Sequence, residues 1–333
     1  MKRKNGFTLL ELVFVIVVLG IITKFAVEFL AQAYRGFIYQ NVGNKLQNQS
    51  EMAVELIASK LQYRLKDSVI IRKNADQTQF KALEGADENS SEGYDILEWT
   101  GYDIEGFRGD GSTKPYWSGM IDKETAHAIP TPTDIDTPDT NSTAVNNLIS
   151  ILSNGNSGIN DAAIFIMGSD SDVREDYGWQ FECADASCST PTGGSIQDQV
   201  HAMHPINADN ADVTKFVSPF ADGVNPEKDF RVVNQTLDDA RYKLSWSAYA
   251  IVYNGNEAND YDGNLTLYYD YQPWNGEKYN DGKSTVIMQH VSAFRKRQSF
   301  NVIKIQVCVK SDLIKKSDQD QEQYSICKEK TIY

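Results

Sequence analysis

The chain has 333 residues, with 32 Lys and Arg against 46 Asp and Glu, giving a net charge of −14. So acidic a surface repels polyanions, which disfavours nucleic-acid binding by the molecule as a whole. It contains no Gly-x-Ser-x-Gly elbow, no His-Glu-x-x-His pair and no phosphate-binding glycine loop, and its histidines are only His127, His201, His204 and His290, so it is not expected to be an enzyme.

The first element lies at the N terminus, where Met1–Leu12 reads Met-Lys-Arg-Lys-Asn-Gly-Phe-Thr-Leu-Leu-Glu-Leu. A short basic leader ends in Gly6, an apolar run begins at Phe7, and a single carboxylate, Glu11, follows. This string resembles the class III signal of type IV pilins and type II secretion pseudopilins. The resemblance implies that a membrane-embedded prepilin peptidase cuts between Gly6 and Phe7 and methylates the new N terminus, leaving 333 − 6 = 327 residues. It also implies that the apolar helix is first a membrane anchor and later an assembly stave. A lone carboxylate in the span from Phe7 to Ile22 is costly in lipid unless it finds a partner. The α-amine of Phe7 in a neighbouring subunit is such a partner, which assigns Glu11 to setting the stagger of assembly. Ala31-Gln32-Ala33 matches the cleavage pattern of a conventional secretory signal, but Lys24 and Glu28 interrupt the apolar core that such a signal needs.

As a helix, residues 7–31 rise about 1.5 Å each and are long enough to cross a hydrocarbon core of about 30 Å. Lys2, Arg3 and Lys4 hold residues 1–6 in the cytoplasm by the positive-inside rule. The remainder then faces the oxidising, periplasmic side of a bacterial inner membrane. Residues 32–66 continue the helical pattern, with Leu46, Met52, Ala53, Leu56, Ile57, Leu61 and Leu65 on one stripe and no proline before Pro115. A break at Gly36 or Gly43 is the alternative.

Charge divides the chain. Residues 1–66 hold nine basic and four acidic groups (+5), residues 67–240 ten and 31 (−21), and residues 241–333 thirteen and eleven (+2). The acidic middle reads as loop-rich, notably over Glu84–Gly93 and Ile129–Asn147, with weak strands at Asp95–Thr100 and Ala162–Met167 and a short helix at Val145–Leu152. Strands are predicted at Trp246–Tyr253, Leu265–Tyr271, Thr285–Val291, Phe300–Val309 and Gln323–Thr331. Arg295-Lys296-Arg297 reads as a solvated turn between two of them, a phosphate or DNA contact being the alternative. The expected fold is α+β: a pilin-like long helix, then a C-terminal antiparallel sheet with large loop-rich insertions.

The four cysteines form two close pairs. Strand alternation places Ile303, Ile305, Val307, Tyr324 and Ile326 on one face and both Cys308 and Cys327 on the other, so a cross-strand disulfide is predicted there. Cys183 and Cys188 are predicted to form the second. Their rival reading, Cys183-x4-Cys188-x12-His201-x2-His204, approaches zinc-ligand spacing but has histidines one residue too close, and an oxidising compartment favours the disulfide. No cofactor is required. Calcium is the better metal candidate, with Asp260, Asp262 and Asn264 crowding oxygen ligands into a turn and Gly168–Asp172 a second such string; hydrophilic turn chemistry accounts for the same residues.

These features lead to the expectation of a minor pilin or minor pseudopilin, a low-copy subunit initiating or capping a type IV pilus or type II secretion pseudopilus at the filament tip. Its partners would be prepilin peptidase, other pilin or pseudopilin subunits and the inner-membrane assembly platform. The alternatives are a tip-exposed module binding cargo, a surface or incoming DNA, and a simple single-pass membrane-anchored protein.

Overall fold

The computed structural model describes residues 8–74, 79–86, 93–111, 114–122, 134–167, 177–179, 202–219, 241–255, 262–311 and 325–333. Helix α1, Leu9–Leu61, is one helix of 53 residues, about 80 Å long at about 1.5 Å per residue. It passes through Gly36 and Gly43 without a break, since an interior glycine costs only about 1 kcal/mol and no proline removes a backbone donor. The helix ends at Leu61, short of the expected residue 66, where the chain turns toward the sheet. Leu65 is extended and donates its N–H to Thr100 O at 2.8 Å. Arg64 Nη1 donates to the terminal carbonyl of Leu61 at 2.9 Å, and Nη2 to Asn301 O at 2.5 Å. One guanidinium thus ties the helix end to a turn more than two hundred residues away.

After α1 come β1 (Ile70–Arg72), β2 (Phe80–Ala82), β3 (Ile96–Gly101), α2 (Ile104–Arg108), β4 (Asp134–Asp136), α3 (Ser142–Leu152), β5 (Ala163–Ile166), β6 (Met203–Pro205), β7 (Asn207–Ala208) and β8 (Lys215–Val217). The C-terminal part supplies β9 (Tyr242–Ser245), β10 (Ser247–Tyr253), β11 (Gly263–Tyr269), β12 (Lys283–Ser299), β13 (Val302–Lys310) and β14 (Ser325–Ile332). An eight-stranded antiparallel sheet has the order β14-β13-β12-β11-β10-β3-β1-β2, and two three-stranded sheets have the orders β4-β8-β7 and β6-β5-β9.

Period-two alternation sends the side chains of the large sheet to opposite faces. Leu97, Trp99, Ile251, Leu265, Ile303, Ile305 and Val307 meet the stripe of α1 formed by Val42, Leu46, Ala53, Val54, Ile57 and Leu61. On the other face, Ile70, Ile96, Ala248, Ala250 and Val252 pack against Tyr177, Trp179, Met203, Tyr271 and Trp274. A second layer closes over this face. Its own core joins Val145 and Ile149 of α3 to Ile135, Ile164, Phe216 and Leu244 from the two small sheets. β3 is therefore buried along its whole length, as expected of a strand covered on both sides.

Within this interface Arg72 Nε and Glu98 Oε2 form a buried ion pair at 2.6 Å. Tyr271 OH donates to Glu98 Oε1 at 3.1 Å, and Arg72 Nη2 donates to Trp179 O at 3.2 Å.

The predicted α+β class and the late antiparallel strands are observed. The structure corrects the reading of Arg295-Lys296-Arg297 as a solvated turn. These residues lie inside β12, which runs 17 residues and pairs continuously with β13 up to Ser299 and Val302, so the turn is only Phe300 and Asn301. The acidic middle also holds more order than loops. α3 begins at Ser142, capped by Asn141 Oδ1 accepting from Ala144 N–H at 3.0 Å, and β4 lies within the stretch read as a loop.

Candidate functional site

The site with the clearest chemistry is the first half of α1. Thr8 is its N-cap: Glu11 N–H donates to Thr8 Oγ1 at 3.3 Å, while Thr8 N–H and Thr8 Oγ1 both donate to Glu11 Oε2 at 2.9 Å. This capping box satisfies helix donors that would otherwise lack partners. Thr8 was not among the residues predicted to matter, although the spacing Thr-x-x-Glu ahead of an apolar run carries the signal. The box also orients Glu11 toward the helix start. Gly6 and Phe7 lie outside the described residues.

From Leu9 to Phe37 the helix is exposed among the described residues, with Leu9 82% and Phe29 70% exposed, and Ile38 is the first residue to pack against the head. It is the one described helix long and apolar enough to cross a membrane. An uncovered apolar surface of this extent requires lipid or other protein around it. The change comes at Val42, the first buried residue of the helix, after which the stripe described above docks on the sheet. Two ion pairs from this half to the edge strand, Glu51 with Lys328 at 3.7 Å and Glu55 with Lys330 at 2.5 Å, fix its rotation. Being exposed, they add less than about 1 kcal/mol each; the apolar stripe supplies the binding.

Cys308 and Cys327 are directly opposite in the β13–β14 register and form the predicted disulfide. Cys183, Cys188 and His201 lie outside the described residues. His204 is buried in β6, opposite Ile164. Of the calcium candidates, Asp260 and Gly168–Asp172 lie outside the described residues. Asp262 faces His290 Nδ1 at 3.3 Å, and Asn264 donates its backbone N–H to Asn254 Oδ1 at 2.6 Å. Among the described residues, no three His, Cys, Asp or Glu side chains come together as a metal-ligand set.

Comparison with known proteins agrees with the N-terminal geometry. Residues 1–23 match the family model of the prokaryotic N-terminal methylation motif. Neither a curated protein nor a solved structure matches the chain.

Proposed function

We propose, from the premise that the chain carries a type IV pilin-like prepilin signal, that it is a minor pilin or minor pseudopilin incorporated in few copies near a filament tip. The observation that carries this reading is the division of α1: an uncovered apolar half behind the methylation motif, continuous with a half built into the head. The signal implies processing by prepilin peptidase and assembly with other pilin subunits. Gly6 is the cleavage residue, Phe7 the mature N terminus and Glu11 the group that neutralises a neighbour's α-amine in low dielectric. The bacterial inner membrane stores the subunit with its head in the periplasm, and the assembly platform draws the helix out of it. The size of the second layer and the net charge of −14 support low copy number, since adjacent heads of like charge repel at filament spacing.

N-terminal sequencing of the mature protein tests the reading. The expected first residue is Phe7, methylated; a start at Tyr34, after Ala31-Gln32-Ala33, would reject it. Gly6→Leu should leave uncut precursor in the membrane, whereas Glu11→Ala should be cut and then fail to enter filaments.

A further inference from the structure

The basic run that is not a turn has a second consequence. In β12–β14 the outward rungs of the ladder are Ala293–Cys308–Cys327, Arg295–Gln306–Glu329 and Arg297–Lys304–Thr331. Arg297 and Lys304 are directly opposite, an arrangement of like charges that destabilises a strand pair. The other charged and amide groups are engaged: Arg295 Nη1 donates to Gln306 Oε1 at 3.3 Å, and Lys304 Nζ pairs with Glu329 Oε1 at 2.9 Å. Arg297 makes no ion pair or side-chain hydrogen bond among the described residues.

These groups line a cleft of ≈ 600 Å³ whose other walls include Tyr94 and Asp95, a size suited to a small ligand. Its ionisable lining is four cations, Arg295, Lys296, Arg297 and Lys304, against two carboxylates, Asp95 and Glu329, leaving +2 in a chain of net −14. Lys296 is directed inward: it donates to Tyr94 O, and burial lowers its pKa to about 8 against the opposing effect of Asp95. The excess charge is therefore carried by the outward Arg295, Arg297 and Lys304. The disulfide two residues along each strand braces the same face.

We propose that this cleft binds the phosphate monoester group of a small molecule, with Arg297 and Lys304 converging on its oxygens and Arg295 beside them. A phosphate monoester carries about −1.5 to −2 at neutral pH, which matches the excess of +2, whereas a carboxylate would leave half of it unbalanced. Guanidinium forks also fit tetrahedral oxyanions through paired hydrogen bonds. The Arg64 tie places the β12–β13 turn at the end of the head away from the apolar half of α1, where a ligand in solution has access. The site is independent of the assembly reading.

The test is calorimetric titration of inorganic phosphate into the full chain in neutral detergent at low ionic strength, with thermal unfolding alongside. One saturable site is expected, with affinity about tenfold weaker in Arg297→Ala, the scale of one lost charge-assisted contact. Arg297→Lys should retain part of it, and Lys330→Ala, on the opposite face, all of it. Without phosphate, Arg297→Ala should melt no lower than the parent, because it removes a like charge facing Lys304; at a given phosphate concentration, the parent should gain more than the variant. A lower melting temperature of Arg297→Ala without phosphate would make the residue structural and overturn the proposal. So would acetate binding as tightly as phosphate, or no saturable binding.

Discussion

Asp103 shows how far a single side chain can set the response of this head to pH. Its carboxylate is buried; Oδ1 accepts from Gly106 N–H and Oδ2 from Trp117 Nε1–H, each at 3.1 Å. Burial raises its pKa to about 6, the two donors and Glu105 acting as smaller, opposed influences. In the unfolded chain it returns to about 3.9. Between these values the native state holds a proton that the unfolded state has lost. The associated stability is present in full below about pH 4 and is lost as pH rises through about 6. The shift corresponds to about 3 kcal/mol at about 1.4 kcal/mol per pH unit. Asp103→Asn should flatten the pH dependence of the melting temperature between about pH 4 and 6 relative to the parent. An unchanged slope would place Asp103 outside the titrating set. Asp95 and Glu277, also raised by burial, act in the same direction in both proteins, so the difference isolates Asp103.

Among the elements, β13 and β14 carry the strongest constraint. Cys308–Cys327 closes a segment of sequence separation 19, and the chain-entropy estimate for such a loop is about 3 kcal/mol. Replacing both cysteines with serine should lower the melting temperature of the purified chain; an unchanged value would show that the ladder with β13 and packing on α1 hold the edge strand without the disulfide. This element was legible because Ile303, Ile305 and Val307 alternate cleanly with polar residues, and the partner cysteines fall on the same parity. The first half of α1 was legible for a different reason, as an apolar run with one charged interruption pattern. The β12–β13 hairpin was obscured because Phe300 and Asn301 form a turn with none of the usual Asn-Gly chemistry, Phe300 taking φ 50°. Arg295 and Arg297 then read as surface turn residues, when each is the outward member of a strand whose inward members are Phe294 and Lys296. β1, β2 and β6 are three-residue strands, too short for any period to emerge. The second layer was legible only in part, as the helix over Val145–Leu152 and the strand over Ala162–Met167; β4, β7 and β8 are strands of two or three residues dispersed through the acidic stretch.

At the scale of the whole molecule, two covers on one sheet give a head whose bulk and charge oppose close packing with copies of itself. Quantitative mass spectrometry of sheared filaments should therefore find this chain far below the major subunit, and an equal abundance would overturn the tip assignment. The same architecture constrains when the head can form. The stripe of α1 that begins at Val42 is covered chiefly by β13 and β14, and Lys330 reaches back across 275 residues to Glu55. The helix thus waits for strands that follow it by more than two hundred residues before its apolar side is shielded. Long-range pairing of this kind is slow and leaves hydrophobic surface open in the interval. A chain stopped before Ser325 keeps its membrane segment but lacks the strand that closes the core. Such a product should be found proteolysed, while the full-length chain persists. Loss of residues 325–333, remote from the signal in sequence, would accordingly deprive the subunit of its folded head while leaving the signal intact.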